Sequence, residues 1–127
     1  MKKEIFQTDN APAPVGPYSQ AVGWNQFVFC SGQIALDAKT GEVFTGDIKE
    51  QTKRCMDNAG EVLKAAGLNF SNVIKSTIFI TNMGDFSKVN EVYSTYFNEQ
   101  PPARSCVEVS ALPKGVHVEV ELIAARP

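Results

Sequence analysis

Apolar residues recur along this chain at two different periods. Between Gly46 and Gly67, Ile48, Cys55, Ala59, Val62, Leu63 and Ala66 fall at spacings that gather them on one face of a helix. Asp47 stands where an N-cap carboxylate belongs, and Gly67 where a left-handed residue ends a helix. A second helix is expected in "DFSKVNEVYSTYFNE", with Phe86, Val89, Tyr93, Tyr96 and Phe97 at helical spacing and Pro101 and Pro102 as its stop. Elsewhere the pattern is that of strands. "VIKSTIFIT" (Val73 to Thr81) is rich in β-branched residues, and Glu4 to Thr8 suits a short strand. "SQAVGWNQFVFCSGQI" reads as a hairpin turning around Gly23 to Gln26. "LDAKTGEVF" carries turn chemistry at Asp37 to Gly41, and "APAPVGP" is an extended, proline-dense loop.

The last segment, "PPARSCVEVSALPKGVHVEVELIAARP", alternates twice and reads as a closing β-hairpin. The order is then β-ββ-α-β-α-ββ, an α+β fold with two helices on one face of a mixed sheet, in a single domain over 1–127. With a loop at Ser110 to Gly115, Val109 sits opposite Val116. Counting outward pairs Cys106 with Glu119, Arg104 with Glu121 and Glu108 with His117, all on one face. The opposite face would carry Val107, Val109, Val118, Val120 and Leu122 toward the helices.

That charged face has two readings. It is a solvated surface whose cross-strand pairs contribute only roughly 0.2–1 kcal/mol each, or it lines a pocket. An arginine fork can hold a carboxylate through two hydrogen bonds. A glutamate nearby can hold and deprotonate a water. Spacing alone leaves both open. Cys106 beside Arg104 could be a nucleophile, but the single histidine, His117, is poorly placed to activate it. Gly32 at the end of "CSGQ" marks either a bulge or a close approach to the backbone. Tyr18 in "GPYSQ" is a lid or a packing residue, and Asn90 lies on the polar side of the second helix.

Composition narrows the function classes. The 127 residues carry a net charge of -2 with no basic stripe, so nucleic-acid binding has no electrostatic support. Three scattered cysteines and one histidine argue against a disulfide framework and against a zinc site. The N-terminus lacks the apolar run of a signal peptide, and nothing is long and apolar enough to span a membrane. A cytoplasmic location is the default expectation.

Taken in order, "APAPVGPYSQAV", "FCSGQIALDAKTGEV", "NAGEVLKAAG", "KSTIFITNMGDFSKVNEVYSTYF" and "PPARSCVEVSALPKGVHVEVELIA" resemble the reactive intermediate deaminases, the Rid (RidA/YjgF) family, over nearly the whole chain. The resemblance implies a fold like chorismate mutase of the trimeric type, with clefts between the subunits of a homotrimer. It implies hydrolysis of 2-iminopropanoate and 2-iminobutanoate, or their enamine tautomers, to 2-oxo acids and ammonia, without cofactor or metal. Residue by residue, it assigns the carboxylate clamp to Arg104 and the water-positioning base to Glu119. Tyr18, Ser31, Gly32, Asn90 and Cys106 join Arg104 around the substrate. "QPPARS" departs from the family, which often has an aromatic residue where Pro101 stands, so a pocket of different shape is expected. The rival expectation is a trimer that binds small carboxylates, regulates or acts as a chaperone without turnover. A ribonuclease activity is weakened by the acidic composition.

Overall fold

A computed structural model of the chain describes residues 2–127. Residue 1, the first of the expected domain, lies outside the described residues. Strands β1 (Glu4–Phe6), β2 (Ala21–Trp24) and β3 (Phe27–Gln33) precede helix α1 (Ile48–Ala65). Strand β4 (Val73–Ile80), helix α2 (Phe86–Ser94), β5 (Ala103–Glu108) and β6 (Val118–Ala125) follow. The six strands form one mixed sheet in the order β1-β2-β3-β6-β4-β5. Both helices cover the same face, as the sequence pattern requires. Among the described residues, no helix is long and apolar enough to cross a membrane.

Helix α1 begins where its signals place it. The Asp47 carboxylate accepts from the Glu50 backbone N–H at 2.9 Å, meeting one of the donors a helix start leaves free. Gly67 follows the end with φ +76, a conformation that glycine adopts without steric cost. The expected apolar face delivers Cys55, Ala59, Val62 and Leu63 to the core. Helix α2 is shorter than its hydrophobic pattern. It stops at Ser94, well before the prolines. The Ser94 hydroxyl donates to the Glu91 carbonyl, and the Thr95 hydroxyl to the Val92 carbonyl. Such bonds compete with the helical ladder. Tyr96 and Phe97 still pack against the core from the turn that follows.

The closing hairpin does not exist. β5 and β6 are not neighbours, because β4 lies between them. β5 pairs with β4 in parallel, with Arg104 opposite Ser76, Cys106 opposite Ile78 and Glu108 opposite Ile80. β6 runs antiparallel to both β3 and β4. Burial explains the order. Val118, Val120 and Leu122 are all buried, beside Ile78 and Ile80 of β4 and beneath Val62 and Leu63 of α1. Each such side chain contributes about 1.5–3 kcal/mol when fully buried. That exceeds the ~0.2–1 kcal/mol of a charged cross-strand pair. The apolar strand therefore takes the sheet centre and the polar β5 takes the edge. The crossover β4-α2-β5 then supplies the helix that a parallel pair needs.

The parity between strands changes with the order. Arg104, Cys106 and Glu108 share the helix-covered face with Ser76, Ile78 and Ile80. Glu119 and Glu121 lie opposite Phe79 and Thr77, on the other face. The six charged and polar residues expected on one face are therefore split between two. Val107 is exposed on the uncovered face rather than turned toward the helices. It shares that face with Trp24, Phe27 and Phe29, which are also exposed. The uncovered face of the sheet therefore carries several large apolar side chains that this chain leaves exposed.

Candidate active site in two halves

The first half lies where the edge strand meets α2. Arg104 leaves β5 toward the helix and donates from Nη1 to Asn90 Oδ1 at 2.6 Å. Its guanidinium carbon sits 5.2 Å from the Phe86 ring centre and 5.1 Å from that of Tyr93. Stacking of this kind suits the flat, weakly hydrated guanidinium. Tyr93 is itself fixed, because its hydroxyl shares a buried 2.6 Å hydrogen bond with Ser76 Oγ. Among the described residues, Arg104 forms no ion pair with a carboxylate. The guanidinium is thus oriented but not neutralised. A cleft beside it is lined by Asn90, Tyr93, Phe97, Pro101, Pro102 and Arg104. Pro101 borders the expected pocket.

Cys106 is two residues along β5, on the same face and half-buried. Burial raises its thiol above the ordinary range, and the positive charge of Arg104 offsets this only in part. A protonated thiol is a weak nucleophile. Cys106 neighbours Arg104 without chemical activation.

The second half lies on the opposite face, between β3 and β6. The two-strand register shifts between Cys30 and Gln33, so Ser31 and Gly32 together span one position of β6. Both readings of Gly32 hold. It sits in the bulge, and a β-carbon built on it would lie 1.9 Å from Glu119 Oε2. Only glycine leaves room for the carboxylate to rest against the backbone. Burial raises the Glu119 pKa, and the negative charge of Glu121 raises it further. A carboxylate with raised proton affinity, facing a cavity, suits a general base.

The "GPYSQ" loop closes over this cavity. Ser31 Oγ donates to the Ser19 carbonyl at 2.6 Å, and the Ser31 N–H donates to the Gln20 carbonyl at 2.9 Å. Gln20 is buried and staples the proline-dense loop, accepting from the Thr8 N–H and donating to the Thr8 and Pro12 carbonyls. Tyr18, half-exposed, is left at the mouth beside Ser31, Gly32 and Glu119.

The structure thus brings Tyr18, Ser31, Gly32 and Glu119 together on one face of the sheet. It brings Asn90, Arg104 and Cys106 together on the other. It does not unite the two sets within one chain. Sequence reasoning missed the Phe86–Tyr93 platform, because aromatic residues at helical spacing look like core. It missed Gln20 because nothing local distinguishes a buried glutamine. It also left Lys114 and Glu121 out of the cavity that they line with Glu119.

The family described as Endoribonuclease L-PSP matches residues 8–126. A RutC family protein of Pyrococcus horikoshii is 52% identical over 96% of this chain and 97% of its own. A mouse protein named 2-iminobutanoate/2-iminopropanoate deaminase is 45% identical over 98% of this chain and 92% of its own. The crystal structure of YyfA from Yersinia pestis, a member of the Rid protein family, superposes with a TM-score of 0.95 at 46% identity, covering 98% of this chain and 99% of that one. With a family match over almost its whole length, and with relatives this similar end to end, the chain belongs to the Rid (YjgF) family.

Proposed function

We propose that the protein hydrolyses small 2-imino acids, 2-iminopropanoate and 2-iminobutanoate or their enamine tautomers, to 2-oxo acids and ammonia. The observation that carries this reading is the pair of half-sites. One is an oriented, unneutralised arginine fork, and the other is a half-buried glutamate pressed against a glycine bulge. An anion clamp and a general base are the two groups that such a hydrolysis needs. The deaminase name of the mouse relative supports the substrate class.

The halves meet only if a second copy contributes. Arg104 stands on an edge strand, free to be presented to a neighbour, and Glu119 stands on the uncovered, partly apolar face. The reading therefore includes a homotrimer in which each cleft takes Arg104 from one subunit and Glu119 from the next. A closed ring of head-to-tail contacts gives three equivalent clefts.

In that cleft Arg104 holds the substrate carboxylate, while Asn90, Phe86 and Tyr93 hold Arg104. Glu119 accepts a proton from water as its oxygen bonds to the imine carbon, and the C=N π electrons move to nitrogen. Glu119 returns the proton to the amino group of the carbinolamine. The C–N bond then breaks, releasing ammonia. The remaining hydroxyl gives up its proton to the Glu119 carboxylate as the carbonyl forms, and Glu119 hands that proton to the departing nitrogen. One water is consumed, and the base is restored. Tyr18 closes the mouth.

The test generates 2-iminopropanoate with an amino-acid oxidase and follows its disappearance with and without the protein. Light scattering on the same sample should give three times 13.8 kDa, about 41 kDa. Acceleration by a trimer supports the reading. A trimer that binds 2-oxobutanoate without accelerating hydrolysis would make it a carboxylate-binding module instead.

A further inference from the structure

The cavity holding Glu119 has an electrostatic problem. This chain lines it with two carboxylates, Glu119 and Glu121, yet the ligand class of the proposed function is itself an anion. Like charges at the mouth slow the approach of a small carboxylate. Among the described residues, one cation lines the same cavity, and that is Lys114.

Lys114 is held there by unusual backbone. It sits in the tight turn Pro113–Gly115 with φ 59 and ψ 20, followed by Gly115 at φ +71. Few residues with a β-carbon adopt this conformation, and asparagine or glycine would do so more readily. The turn therefore places a lysine side chain where the backbone by itself favours glycine. Among the described residues, Lys114 forms no ion pair, so its ammonium is not engaged elsewhere.

We infer that Lys114 is a guide for anionic substrate: its ammonium offsets Glu119 and Glu121 at the cavity mouth and draws a small carboxylate toward the cleft. The identity of that carboxylate rests on the proposed hydrolysis. The guiding role rests on the charges and the turn. Arg104 is the clamp and Lys114 is not. Its effect lies in capture, and therefore in KM and in salt dependence.

The experiment compares the full-length protein with Lys114→Gln, Lys114→Gly and Lys114→Arg. It measures kcat/KM for 2-iminopropanoate and calorimetric affinity for 2-oxobutanoate at low and high ionic strength. At low salt, Gln and Gly should each lower both quantities about two- to fivefold, the range of one exposed charge interaction. High salt should erase the difference, because mobile ions screen it. The loss should fall on KM, and Arg should restore it. Glycine separates charge from backbone, since it relaxes the turn while removing the ammonium. If Lys114→Gly matches the parent in affinity and salt slope, the inference is wrong. It is equally wrong if Arg is no better than Gln. A parent that binds 2-oxobutanoate but does not turn over the imine would overturn the hydrolase reading, and Lys114 would then be judged by affinity alone. A parent that binds no 2-oxobutanoate would overturn both.

Discussion

The two half-sites of the proposed cleft hold Arg104 and Glu119 in opposite ways. Arg104 is exposed and carried on an edge strand, and its geometry is set by side chains: the Asn90 amide oxygen and two aromatic faces. Glu119 is half-buried on a central strand, and its geometry is set by backbone, the bulge at Gly32. The first half-site keeps a charge available, because it is not desolvated by its own chain. The second raises proton affinity, because it is partly desolvated by its own chain. In the proposed hydrolysis neither half suffices: a clamp without a base binds, and a base without a clamp has no oriented substrate.

The sharpest break of this comparison separates the halves genetically. Arg104→Ala should lower kcat/KM by about a hundredfold or more, since two charge-assisted hydrogen bonds are lost. Lysine should rescue poorly because it lacks the planar fork. Glu119→Gln should cost a similar factor, within the ~10²–10⁴ range of general base catalysis, while keeping affinity for 2-oxobutanoate. Unfolding and refolding the two dead variants together in equal amounts should then restore about a quarter of the parent activity, since one cleft in four receives both intact residues. No recovery from correctly assembled mixed trimers would contradict the shared cleft.

A smaller effect is expected at the boundary between backbone and base. Gly32→Ala places a methyl where the Glu119 carboxylate rests. Activity should fall about ten- to a hundredfold through misplacement of the base. Affinity for 2-oxobutanoate should change less, because Arg104 is untouched.

The acid limb of the pH profile sharpens the electrostatic side. In its proposed role Glu119 works only when ionised, and both its burial and Glu121 raise its pKa. As pH falls, activity should therefore be lost above the ordinary glutamate range near ~4.3. Glu121→Gln removes one of the two causes, so the limb should move to lower pH. A limb that stays in place would show that Glu121 does not act on the base. The smallest effect belongs to Cys106→Ala, which should retain most activity, because a thiol kept protonated supplies no nucleophile. A dead Cys106→Ala protein, with a substrate adduct on Cys106 in the parent detected by mass spectrometry, would replace the water mechanism by a covalent one.

Much of the fold is local and so is legible in the chain. The apolar stripe of α1, its Asp47 cap and its Gly67 stop all act within a few residues of one another. The alternation of Val118, Val120 and Leu122 correctly assigns those side chains to the core. The strand order is different. β5 and β6 are consecutive, so a hairpin is the cheapest local guess. The better signal was the helix between β4 and β5, because a strand, a helix and a strand in succession favour a parallel pair.

The candidate site divides along the same line. The resemblance to known deaminases named its residues one by one, and Gly32, Ser31 and Glu119 do converge. The expected partnership of Arg104 with Glu119 on one face fails within the chain, because inserting β4 between their strands puts the two on opposite sides of the sheet. Periodicity determines which side of its own strand a residue takes. Only the packing of strands determines which face of the sheet that side becomes. That choice is set by burying β6 at the centre, a cooperative property of the whole core that no local window contains.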